Sequence, residues 1–279
     1  MAKTILVLMD GCRYDAITQT GGYFEHLIDR GLGAKYKVRG ELPSMSRPMY
    51  ETLMTGLPSS VHGVVNNQVV RPSRFENLFS LCKHNGLTTA AAAYFWFSEL
   101  YSRAPFCPHR DRMQLAGAGS IDHGIFYYED HYPDSHLYND GEFLRETYNP
   151  DFILFHSMNI DCWGHRKGGE SPEYLGAVAA AQELLSPLLH RWLEEGCNVI
   201  ITADHGMSSF GMHGGPTAQQ RTVALYLFSR GLQCGRFTEN EISQLSLAPL
   251  VCSLLGIAPA QGMTHTGQIA RIGESNEKQ

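Results

Sequence analysis

The sequence predicts an α/β fold, a three-layer sandwich around a mainly parallel central sheet, and three observations predict it. Short runs that are apolar without a break recur along the chain, helical patterns stand between them, and 43% of the 279 residues are hydrophobic. Unbroken apolar runs of strand length suit a sheet covered on both faces, because a strand with one wet face would alternate polar and apolar residues. Strands alternating with helices suit parallel crossovers. The length fits one large core and is short for two, so residues 1–279 are expected to form a single domain.

In chain order, the first strand is expected at Thr4–Met9, ended by Asp10-Gly11. Pro43–Tyr50 leads into Glu51–Gly56, which has helical character, and Pro48 is tolerated in a first turn, so Ser46 is expected to be the N-cap. Ser73-Arg74-Phe75-Glu76 has the form of a capping box, with Gly86 as the stop of the ensuing helix. Thr88–Ala93 is an alanine-rich strand candidate. The stretch from about Ala104 to Pro150 is rich in Gly, Pro, His, Tyr and Asp and poor in periodic apolar residues, so an irregular excursion over the active-site edge is expected there. Phe152–His156 is the next strand. Ser171-Pro172 opens a long helix that Gly196 ends and that Pro187 should kink or split. Further strands are expected at Asn198–Thr202 and Val223–Phe228, a last helix at Glu241–Leu255 before Gly256, and a solvated tail at Gly273–Gln279.

A formal charge of -6 with no long run of Lys or Arg argues against long nucleic acid as a partner. Counter-charge for a phosphorylated ligand must then come from a few placed groups or from metal. The seven cysteines are scattered and form no Cys-x-x-Cys pair, which suits a reducing compartment. Asp10 ends the first apolar run before a signal-peptide core forms, and no segment is apolar for long enough to span a bilayer. A soluble, cytoplasmic protein without a membrane partner is therefore expected, and the oligomeric state is left open.

Three apolar strands end in, or just before, residues able to bind metal: Asp10, then Asp161 and His165, then Asp204-His205. In open parallel sheets ligands bind at the carboxyl ends of strands, where these distant residues would converge. Each also has a plain structural reading. Asp10-Gly11 suits a turn, and Asp161 and His165 at i, i+4 share a helical face or lie on a loop ended by Gly168-Gly169. Asp204-His205-Gly206 is sharper, since neighbouring strand residues face opposite ways unless the chain turns, which Gly206 permits. His213 lies eight residues on, beside Gly214-Gly215. Three Asp and three His form an oxygen and nitrogen set suited to zinc, with manganese as the second choice. Ser46, at a helix start, either only caps or acts as a nucleophile. No Ser-His-Asp order or Gly-x-Ser-x-Gly elbow surrounds it, so a metal is the better activator.

The ordered set Asp10-Gly11, Ser46-Arg47-Pro48, Met54-Thr55-Gly56-Leu57-Pro58, His62-Gly63, Asp161-Cys162-Trp163-Gly164-His165, Thr202-Ala203-Asp204-His205-Gly206-Met207 and His213-Gly214 resembles the alkaline phosphatase superfamily, and within it the type I phosphodiesterase and nucleotide pyrophosphatase branch. The resemblance implies an alkaline phosphatase-like core. It implies two divalent ions, with Asp161, His165 and His213 on one and Asp10, Asp204, His205 and the Ser46 oxygen on the other. It implies attack by Ser46 on a small phosphorylated substrate, a phosphodiester, phosphonate ester or nucleotide pyrophosphate, through a phosphoryl-serine intermediate. The branch usually has Asn three residues after its nucleophile, where this chain has Met49, and Arg47 is the neighbouring candidate for binding phosphate. The chain is short for the family, as if lacking insertions that recognise a base. A phosphomonoesterase or phosphomutase on the same core, and a metal-binding protein without catalysis, are the alternatives.

Overall fold

The computed structural model describes residues 2–117, 119–263 and 269. Its centre is a nine-stranded sheet built from β1 (Thr4–Met9), β2 (Ala34–Arg39), β3 (Thr89–Tyr94), β4 (Met113–Gln114), β5 (His123–Tyr127), β6 (Phe152–Ser157), β7 (Asn198–Thr202), β8 (Thr222–Phe228) and β9 (Gly235–Ser243), in the order β4-β5-β3-β6-β1-β7-β8-β2-β9. The five strands β5, β3, β6, β1 and β7 run parallel. β8 is antiparallel to both β7 and β2, β9 is parallel to β2, and β4 closes the far edge antiparallel to β5.

The central strands are buried along their whole length, which is why their sequences read as unbroken apolar runs. Leu6 sits level with Leu154 on one side and Ile200 on the other. The ladder persists to the first site residue, with Asp10 N–H donating to the Ser157 carbonyl at 3.0 Å. One helical layer is organised by Pro172–Glu194, which packs on β7 and on the helices Gly22–Asp29, Asn159–Lys167 and Asp134–Tyr148. The other holds Leu247–Leu255 against β1 and the helix Ser46–Thr55, with Leu78–His84 against β3. All five expected strands are present, and the expected three-layer α/β architecture is the one observed.

Several elements differ from expectation. The stretch 104–150 is not irregular: it contributes β4, β5 and the 15-residue helix Asp134–Tyr148. That helix turns Asp134, Leu137, Tyr138, Gly141, Glu142 and Leu144 inward, so acids and a glycine interrupt its apolar stripe. Glu142 is buried because Trp192 Nε1 and Arg145 Nε each donate to it at 2.8 Å, and Gly141 is required because a Cβ there would lie 2.0 Å from the Phe155 ring. The capping box belongs to Asn77 and Ser80, which bond each other reciprocally, so the helix starts at Leu78; Ser73 Oγ donates instead to Glu51 at 2.7 Å. Glu241–Ser243 completes the edge strand β9, and the last helix begins only at Leu247, ending at Gly256 in the left-handed conformation as expected. The long helix runs unbroken through Pro187, beside which Ser186 Oγ donates to the Gln182 carbonyl at 2.6 Å. The tail Gly273–Gln279 lies outside the described residues.

Candidate active site

Three adjacent parallel strands, β6, β1 and β7, each deliver one part of the site at or beyond the carboxyl end. β1 delivers Asp10, β6 leads into the helix Asn159–Lys167 with Asp161 in its first turn and His165 one turn later, and β7 delivers Asp204 and His205. Two glycines make the approach possible. Gly11 has φ +71°, and a Cβ there would lie 2.8 Å from Asp161 Oδ1; a Cβ on Gly206 would lie 2.1 Å from the Gln219 carbonyl. His213 comes from the loop beyond.

The structure brings Asp10, Ser46, Asp161, His165, Asp204, His205 and His213 into one cluster. His205 Nε2 lies 3.0 Å from Ser46 Oγ, 3.4 Å from Asp10 Oδ1 and 3.2 Å from Asp204 Oδ2. Asp161 Oδ2 is 3.3 Å from His165 Nε2, and its Oδ1 is 3.7 Å from His213 Nε2. Ligand atoms of Asp10, Asp204 and His205 all lie within 4.8 Å of one another, as do those of Asp161, His205 and His213. The second group holds His205 in place of the expected His165, although His165 Nε2 is only 3.1 Å from His213 Nε2.

These residues fit divalent metal by their own hydrogen bonding. His165, His205 and His213 each direct Nδ1 at a backbone carbonyl, of Gly211, Gly206 and Ser44, at 2.8, 2.9 and 3.0 Å. A donor proton on Nδ1 leaves the Nε2 lone pair of the neutral ring aimed at the cluster, the usual orientation of a metal-binding imidazole. Three buried carboxylate oxygens there, Asp10 Oδ1, Asp161 Oδ1 and Asp204 Oδ2, have no hydrogen-bond partner. Without cations the charges conflict. Burial and neighbouring carboxylates push Asp10 and Asp204 well above the ordinary range. Burial also opposes the Asp161 anion, but the His165 hydrogen bond and the nearby His213 and His205 hold it below its ordinary value, while Asp161 in return raises His165 to about 9. Burial drives His205 well below its ordinary value.

Ser46 is not an N-cap. Met45 holds that place with extended backbone (φ −117°, ψ 148°), its carbonyl accepting from Met49 N at 2.9 Å, so Ser46 is the first helical residue and its hydroxyl turns to His205. Arg47 does not join the cluster. Its guanidinium is buried, donates to Glu99 at 2.7 Å and to the Val69 carbonyl at 3.4 Å, and stacks over Trp96 at 4.6 Å. Glu99 neutralises this buried cation, whose Nε has no partner, and the phosphate-binding position expected of Arg47 is not the one its observed contacts give it.

Three residues next to the cluster were not singled out in the sequence. Tyr50 OH and His156 Nε2 both meet Asp10 Oδ2, the latter at 3.0 Å. His156 was visible as a histidine ending an apolar strand, whereas Tyr50 looked like any core aromatic. Asn67 Oδ1 accepts from Arg47 N at 3.1 Å, which ties the amide to the first turn of the helix that Ser46 opens. Its signal was a second polar residue, in Asn66-Asn67, shortly after His62-Gly63.

Comparison with known proteins agrees with this architecture. Murine ectonucleotide pyrophosphatase/phosphodiesterase 5 superposes with a TM-score of 0.72 over 94% of this chain and 96% of its own, at 14% identity. The human protein of that name gives 0.71 over 93% and 96%, at 16%. Among curated sequences, the catalytic subunit of human GPI ethanolamine phosphate transferase 3 is 29% identical over 58% of this chain and 14% of its own length. GPI ethanolamine phosphate transferase 1 of Schizosaccharomyces pombe is 24% identical over 77% and 26%. The chain thus spans about a seventh to a quarter of these relatives. They overturn the expectation of no membrane partner, because they are named for a glycolipid, GPI. Among the described residues no helix is long and apolar enough to cross a membrane. The family model for type I phosphodiesterase / nucleotide pyrophosphatase matches residues 4–219, and the chain belongs to that family of enzymes acting on phosphoesters.

Proposed function

We propose that the chain is a two-metal phosphoesterase that cleaves a phosphodiester, phosphonate ester or pyrophosphate through a phosphoryl-serine intermediate on Ser46. The observation that carries this reading is Ser46 Oγ, 3.0 Å from His205 Nε2, the same nitrogen that lies 3.4 and 3.2 Å from the unpartnered oxygens of Asp10 and Asp204. Asp161, His165 and His213 would hold one ion and Asp10, Asp204, His205 and Ser46 Oγ the other, zinc by the nitrogen and oxygen set and manganese next. Two divalent cations would lower the pKa of the serine hydroxyl, neutralise phosphoryl oxygens and favour departure of the leaving oxygen.

The chain's own residues do the rest. Placement as the first residue of a helix sets Ser46 where the positive helix end favours both an alkoxide and a phosphoryl oxygen. Attack by Ser46 Oγ forms one P–O bond as the bond to the leaving alkoxide breaks, and water or another alcohol then takes the phosphoryl group from serine. The Asn67 amide, with its oxygen engaged by Arg47 N, supplies a donor to a non-bridging oxygen, the task of the asparagine that the branch carries where this chain has Met49. Met49 is fully buried and takes no part.

Transfer to a lipid-linked alcohol in place of water is the second reading. It is favoured by Phe210 and Met212, 91% and 62% exposed, which flank Gly211, the residue whose carbonyl holds His165. A reducing compartment also remains our proposal, supported by seven cysteines without a disulfide.

The test is hydrolysis of bis(p-nitrophenyl) phosphate by zinc-loaded protein. Turnover that a chelator abolishes, that zinc restores and that Ser46→Ala loses supports the reading. Diester turnover that survives chelation or the Ser46 substitution contradicts it, and a strong preference for p-nitrophenyl phosphate moves the assignment to a monoesterase or mutase.

A further inference from the structure

Asp10 is held through one oxygen only. Tyr50 OH donates to Oδ2, and His156 Nε2 lies 3.0 Å from the same atom, while Oδ1 is buried, has no hydrogen-bond partner and lies 3.4 Å from His205 Nε2. The neighbours of His156 dictate its tautomer. Tyr94 N–H reaches Nδ1 at 3.4 Å, and an amide can only donate, so Nδ1 accepts and the proton sits on Nε2, pointed at Asp10. Tyr127 OH, 3.2 Å from Nδ1 and 2.9 Å from the His156 carbonyl, braces the same ring. The imidazole is fully buried, with the Tyr50 and Phe97 rings 4.8 and 5.0 Å away.

We infer that Tyr50 and His156 are positioning residues, two donors that saturate Asp10 Oδ2 and thereby turn Oδ1 toward a cation shared with Asp204 and His205. Asp204 shows the same division of labour through backbone: Gly11 N at 3.2 Å and His205 N at 2.8 Å occupy Oδ1, and Oδ2 is left without a partner. Residues that merely filled this part of the core would need neither two donors on one oxygen nor a bare oxygen beside it. Groups that orient a ligand typically change metal affinity about 10–100-fold when removed. The inference rests on the two-metal reading, and its test separates the two.

Zinc is titrated into metal-free protein against a chromogenic chelator. Tyr50→Phe removes only the hydroxyl, His156→Phe removes the donor and keeps a ring, and His156→Gln keeps an N–H donor. Tyr50→Phe and His156→Phe are expected to weaken one of two zinc ions about 10–100-fold and leave the other unchanged. His156→Gln should recover most of that affinity, and saturating zinc should return kcat in Tyr50→Phe. Should His156→Phe fail to fold, Tyr50→Phe decides alone. Wild-type protein that binds two zinc ions, with Tyr50→Phe binding both at the same affinity, overturns the inference and spares the two-metal reading. Wild-type protein that takes up no zinc overturns both.

Discussion

Replacing Asn67 tests how the site handles phosphate without the asparagine expected at position 49. The Asn67 side-chain oxygen is occupied by Arg47 N at 3.1 Å, so the amide is fixed before substrate arrives, with its NH2 group free to donate. A donor held in advance of reaction is worth about 10²–10³ in kcat, or about 2.7–4 kcal/mol of transition-state stabilisation. Asn67→Ala should therefore lower kcat for bis(p-nitrophenyl) phosphate by that factor at saturating zinc. It also removes the acceptor of Arg47 N, at a place water can reach, which costs stability only about 1 kcal/mol. Asn67→Asp separates the two effects, since it keeps the acceptor and loses the donor: stability should stay near wild type while activity falls. Zinc content should not change in either variant. Asn67→Ala with the kcat of the wild type would refute the reasoning, and so would a loss of activity explained by lost zinc.

Arg47→Met should destabilise the protein by about 3–5 kcal/mol in urea unfolding, because it strands Glu99 buried without its cation, yet leave KM for the diester unchanged in the folded fraction; a raised KM at unchanged stability would return Arg47 to the substrate. His62 predicts a dependence on pH. Burial, followed by Arg71, lowers its pKa from 6.5 to about 4, and Val64 N and Thr52 Oγ1 hold it as the neutral ring at 3.1 and 3.0 Å. The unfolded chain then binds the extra proton between pH 6.5 and about 4, so the contribution is complete above pH 6.5 and is lost as pH falls through that window. Urea midpoints measured from pH 7 to pH 4 should fall more steeply for wild type than for His62→Gln, and parallel curves would contradict the assignment.

The central strands and the convergence of ligands were legible in the sequence for one reason. A buried parallel strand must be apolar throughout, and the chain must turn just past its carboxyl end, so Met9-Asp10-Gly11 and Thr202-Ala203-Asp204-His205-Gly206 stand out against their runs. β2 was hidden because Lys35, the second residue of the strand, is buried against Glu25 and Thr18 and reads as a surface charge. The helix Asp134–Tyr148 was hidden because its inner face satisfies Glu142 with Trp192 and Arg145, contacts far away or unmarked in sequence. Tyr50, His156 and Asn67 escaped for a related reason: their importance lies in which atom they touch, Asp10 Oδ2 or Arg47 N, and pairing across the fold leaves no local pattern. Arg47 shows the converse, a residue next to Ser46 in sequence whose side chain pairs with Glu99 instead of joining the cluster.

The two-metal site is tested most directly by anomalous diffraction at the zinc edge from crystals of zinc-loaded protein soaked in phosphate. Two peaks about 3.5–4 Å apart are expected, one among Asp161, His165 and His213 and the other among Asp10, Asp204 and His205, with phosphate between them against Ser46 Oγ. A single peak, or peaks remote from Asp204 and His213, would contradict it.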